Sequence, residues 1–131
     1  MPTTAHLFAL PNKIGLAQAP HLTVQAVYAG WWRLGFLWVA TLLADAVLAV
    51  SLRGQGAAFW LAAAATALIV AVFAIFLGWT QPANTATANG TLAPPNWQAL
   101  RVQWGYSHAV NAGLPFLALC CVTVAALRAR R

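Results

Sequence analysis

Acid is what this chain has least of. It contains no glutamate and a single aspartate, Asp45, against seven Lys or Arg, so only eight formal charges serve 131 residues. A water-soluble domain needs more charged surface than that to stay dispersed, and 6% charged beside 62% hydrophobic residues excludes an ordinary soluble fold. Lipid must cover what charge does not. The net charge of +6 does not indicate a nucleic-acid partner, because the basic residues stand at the ends of apolar runs and form no patch. Cysteine is equally scarce. Cys120 and Cys121 are adjacent, point about 100° apart on a helix, and offer neither a mutual disulfide nor a CxxC or metal-ligand spacing. P-loop, zincin, nucleophile-elbow and dinucleotide signatures are missing as well.

What remains is apolar helix, and the predicted class is an all-α integral membrane helical bundle of one domain. Trp31 to Leu52 spans about 33 Å as a helix, enough to cross a bilayer. Arg53 to Gly56 is a tight break, and Ala57 to Trp79 is an uncharged second span antiparallel to the first. Residues 1–22, with Pro2, Pro11 and Pro20, are expected to lie irregularly at the interface, and Thr80 to Pro95 to form an exposed outer loop. A third helix, capped by Asn96, is predicted from Trp97 to about Leu127, with its membrane span at 109–127 and Pro115 as the place for a kink. Arg53 and the arginines at 128, 130 and 131 share one side, which the positive-inside rule makes cytoplasmic; Lys13, Arg33 and Arg101 share the other.

The chemistry concentrates at the start of that third helix. At about 100° per residue Trp97, Arg101, Trp104, His108 and Asn111 fall within a sector of about 80°. An imidazole titrates near neutrality, so His108 can act as a general base; the plainer reading is an interfacial histidine bonded to a neighbouring helix. Arg101 can hold an anionic substrate group or a lipid phosphate, and Trp97 and Trp104 can stack on a ring or belong to an interfacial belt. Asp45, an acid inside a span, is a functional candidate by default. Its depth separates it from His108 by about 18 Å, counted from the cytoplasmic helix ends. Its expected neighbours are Thr66, Cys120 and Cys121, and its face, Trp31, Leu34, Trp38, Thr41 and Asp45, is expected to be the packed one. The small-residue runs Ala62 to Ala65 and Ala109, Ala112 and Gly113 suit close helix contacts in lipid.

Four pieces of the chain, HLFALPNKI (His6 to Ile14), VQAVYAGW (Val24 to Trp31), WTQPAN (Trp79 to Asn84) and NWQALRVQWGYSHAVNA (Asn96 to Ala112), resemble bacterial members of an uncharacterised membrane-protein family related to the fungal anthrone oxygenases. Such proteins look like four-helix bundles with a hydrophobic helix ahead of the piece similar to HLFALPNKI. Here Met1 stands five residues before His6, which gives the expectation of a start lacking that helix, or of a three-helix variant that recruits a partner. The resemblance implies oxidation of a polyphenolic compound by dioxygen with no recognised cofactor. It nominates Asn84, Trp97, Arg101, Trp104 and His108 as a pocket, with His108 and Arg101 catalytic and Asn84, Trp97, Trp104 and the stripe residue Asn111 binding substrate. The alternative is a non-enzymatic accessory subunit whose stripe docks a membrane partner or lipid. Expected partners are the bilayer, a small aromatic ligand, and a second copy or membrane protein; the expected location is a bacterial inner membrane with a cytoplasmic C-terminus.

Overall fold

The computed structural model describes residues 2–129. Among them there is no strand, and the chain is an all-α membrane helical bundle. Three helical stretches are long and apolar enough to cross a bilayer: Trp31–Ser51, Ala57–Ala86 and Trp97–Ala129. Three short helices precede them, α1 (Pro2–Phe8), α2 (Leu10–Lys13) and α3 (Gln18–Ala26), followed by α4 (Gly35–Ser51) and α5 (Ala57–Ile75). Beyond α5 come α6 (Gln81–Ala86) and the long α7 (Trp97–Ala129). The contacts group into two units. One comprises residues 1–33 and 74–112, the other 34–73 and 113–131.

The second unit is helix packed on helix through small residues. Ala58, Ala62, Ala65, Ile69 and Val72 recur every three or four positions on α5 and are buried, so a strip of methyl groups lets neighbouring backbones approach closely. Ala49, Leu52 and Ala125 close over its start, and Trp38, Leu42, Ala118 and Cys121 over its middle. On α4 and its C-cap the packed stripe is therefore Trp38, Leu42, Asp45, Ala49 and Leu52. The expected face is corrected in its outer half, since Trp31, Leu34 and Thr41 are exposed. In lipid, two apolar faces of one helix differ little in free energy, and packing against Ala-rich α5 decides between them. Thr66 donates its hydroxyl proton to the Ala62 carbonyl at 3.0 Å, within α5 itself. The turn between α4 and α5 falls where the Gly54 break predicts it, with Gly54 at φ +83° in the left-handed region.

The first unit differs more from expectation. Residues 2–26 are mostly helical, not irregular. Pro2, Pro11 and Pro20 stand in the first turns of α1, α2 and α3, where backbone N–H groups have no intrahelical partner and a proline removes nothing. The expected loop at 80–95 is likewise corrected: Gln81–Ala86 is helix, Ala88–Gly90 a tight helical turn, and Thr80, Ala83, Thr87 and Gly90 are buried. Pro82 explains the join. Its ring would clash with the Gly78 carbonyl in a regular helix, and the chain widens there into a π turn over Phe76–Thr80, with Gln81 N–H reaching back to the Phe76 carbonyl.

Candidate functional site

From Trp97 to His108 α7 rises about 16 Å, and these turns lie in the first unit. Two hydroxyls fix its rotation. Thr80 in the π turn donates to Ser107 Oγ at 2.9 Å, and Ser107 donates to the Trp104 carbonyl at 3.1 Å, all out of water. Gln103 Nε2 donates to the Trp79 carbonyl at 2.7 Å. Ala83, Leu100, Trp104, Val24 and Tyr28 form the apolar floor.

Against this helix the N-terminal helices place the residues that periodicity does not reveal. His108 lies flat on His6, with ring centroids 4.0 Å apart and planes 12° from parallel. Trp104 meets both imidazoles edge-on, at 4.8 Å and 5.3 Å, and Tyr28 covers His6 at 4.3 Å. Two charged rings at 4 Å would repel by about 4 kcal/mol at an effective dielectric of 20, so the pair does not hold two protonated imidazoles. Lys13 Nζ stands 3.1 Å from His6 Nδ1. An ammonium has donors only, so Nδ1 accepts and the His6 ring carries its proton on Nε2. Burial pushes His6 down to about 3, with His108 and Lys13 adding to the effect, and burial also lowers Lys13 below its ordinary range.

A second group adjoins through Trp104. Arg101 Nη1 donates to the Leu16 carbonyl, and the guanidinium lies 5.1 Å over the Trp97 ring. His21 is 1% exposed, 5.9 Å from Trp104 and 6.4 Å from Trp97 between ring centroids. Burial lowers its pKa, and Arg101 and Lys13 lower it further. Lys13, Ile14, His21, Arg101, Trp104 and Gly105 wall a cleft too narrow for a water molecule. Two polar atoms are buried in this group without a hydrogen-bond partner, His21 Nε2 and Arg101 Nε.

Trp97, Arg101, Trp104 and His108 thus face one polar-aromatic cluster, but His108 and Arg101 sit at its two ends, seven residues or about 10 Å apart along α7. Asn84 is half-buried, with Oδ1 accepting from Gln25 Nε2 at 3.4 Å, and Asn111 is buried; neither lines the cleft. The residues missed by the sequence reading are His6, Lys13, His21 and Tyr28. A signal was present: all three histidines and the sole lysine of the chain meet here. Asp45 belongs to the other unit, and among the described residues no three His, Cys, Asp or Glu side chains converge as a metal set.

Fold and site together define a small all-α membrane protein with a buried cluster of bases and aromatic rings at the head of its longest helix. No protein-family model, curated protein or solved structure matches the chain.

Proposed function

We propose that this protein binds an amphipathic aromatic compound of quinone-like or polyphenolic type in the headgroup region, and oxidises it with dioxygen as the anthrone oxygenases do. The observation that supports this is the enclosure of the His6–His108 pair by Trp104 and Tyr28, with Arg101 about 10 Å away along the same helix, a spacing comparable to the length of a fused-ring phenol. His108 removes a phenolic or benzylic proton, Arg101 stabilises the anion, and Trp97 or Trp104 stacks on the rings. Dioxygen then converts the activated CH2 to a carbonyl with release of one water, so atoms and electrons balance without a further reductant. Charge counting favours a cytoplasmic C-terminus with the cluster at the outer leaflet, and the family resemblance favours a bacterial inner membrane.

The narrowness of the cleft favours a second reading, a non-enzymatic accessory subunit that docks a membrane protein or lipid. Oxygen uptake by the purified protein against a panel of hydroxyanthracenones separates the two. Loss of a general base predicts a fall of at least about 100-fold in His108→Ala. Unchanged turnover removes His108 as the base, and no uptake by folded wild-type protein leaves the accessory reading.

A further inference from the structure

Three basic side chains, Lys13, His21 and Arg101, line one cleft in a unit that contains no acid, since the only acid of the chain is Asp45. Arg101 is held in place by the Leu16 carbonyl and the Trp97 ring, yet its Nε is buried without a partner; so is Nε2 of His21, a side chain 1% exposed. A buried donor without an acceptor is costly, and natural proteins leave few of them. With its proton on Nε2, His21 joins Arg101 in calling for an acceptor-only group with negative charge. Water would bring two protons, and no carboxylate lines the cleft to receive them.

We propose that this cleft is an oxyanion site for the ionised end, a carboxylate or phenolate, of an aromatic ligand whose rings lie against Trp97 and Trp104. The inference rests on the aromatic-ligand reading above and narrows it to acidic compounds. Arg101 Nε donates to the oxyanion, and so does His21 in the tautomer that carries its proton on Nε2. Because the cleft has no room for a water molecule as it stands, the ligand oxygen enters as the Lys13 side chain turns out of it. The four methylenes of lysine permit that movement, and the contact with His6 Nδ1 is what it gives up.

The test uses anthracene-2-carboxylate and its neutral methyl ester, read by quenching of tryptophan fluorescence in a neutral maltoside detergent and corrected for partition into micelles. Wild-type protein should bind the acid at least tenfold more tightly than the ester. Arg101→Gln and His21→Asn should each bring that ratio within threefold; two variants are used because Arg101 also ties down Leu16. Equal affinity of wild type for acid and ester overturns the oxyanion site and leaves the aromatic reading standing. If neither compound binds, the aromatic reading falls, and inorganic phosphate decides the rest. A phosphate-dependent rise in Tm present in wild type and lost in His21→Asn retains an oxyanion site, and no rise overturns it. Displacement by phosphatidylglycerol but not phosphatidylcholine, without preference for acid over ester, assigns the cleft to lipid phosphate and overturns the proposal for aromatic acids.

Discussion

A buried imidazole stacked on another holds two helices together only while the rings stay uncharged. His6 docked against His108 resists protonation down to about pH 3, chiefly through burial, whereas a histidine released into water takes a proton below about 6.5. The docked form is therefore fully stable above pH 6.5, weakens as the pH falls through that value, and stops weakening near 3; His21, lowered for the same reason, acts in the same direction. His6 contributes up to about 1.4 kcal/mol per pH unit inside its window. Hydrogen exchange over residues 2–26, corrected for intrinsic rates, should show protection at pH 4.5 at least tenfold lower than at pH 7.5. His6→Phe should remove its share of the difference and leave that of His21. Equal protection at both pH values would contradict this account. The α7 half of the cluster was legible because Trp97, Arg101, Trp104 and His108 repeat at helical spacing. His6, Lys13 and His21 were not: they sit on short helices whose prolines suggest irregular chain, and their convergence is tertiary.

At the scale of elements, prolines and polar residues misled where their positions within a helix mattered more than their presence. Pro82 in the first turn of α6 is tolerated, and Thr87 ends that helix by donating to the Ala83 carbonyl at 2.8 Å. Gly90 then brings the chain directly onto α3. At φ +89° it lies so close that a Cβ would stand 2.6 Å from the Leu22 carbonyl oxygen and 2.7 Å from Ala26 N, both backbone atoms that cannot swing aside. Gly90→Ala therefore combines left-handed strain with a backbone clash and should destabilise by about 2–4 kcal/mol, seen as a clear fall in Tm in detergent. Gly78→Ala is the internal comparison, since nothing lies within 4 Å of its added methyl and its φ is ordinary. Equal Tm values for the two variants would show that the turn over Ala88–Gly90 does not press on α3. The apolar spans were readable without such detail, because length and hydropathy suffice to define a crossing helix, while the choice between faces of α4 depended on where the alanines of α5 lay.

For the molecule as a whole the solvent is lipid. Phe36, Val39, Leu43, Val47 and Val50 on α4 are exposed, as are Phe116, Leu117 and Leu119 on α7, and such surfaces are stable only against acyl chains. At 33 residues α7 is about 50 Å long, beyond the roughly 30 Å of a hydrocarbon core, which leaves its Trp97 end for the headgroup region. Which leaflet that is depends on a narrow balance. Arg53 and the arginines at 128, 130 and 131 stand against Lys13, Arg33 and Arg101, four basic residues against three. Removing one charge from the first set abolishes the difference, so Arg53→Gln should convert a single orientation into a mixture. C-terminal fusions measure this directly: green fluorescent protein after residue 131 should fluoresce and alkaline phosphatase should be inactive in wild type, while in Arg53→Gln both should give partial signals. A wild-type fusion with active phosphatase would invert the orientation and put the histidine cluster on the cytoplasmic face, where a ligand would have to reach it from inside the cell.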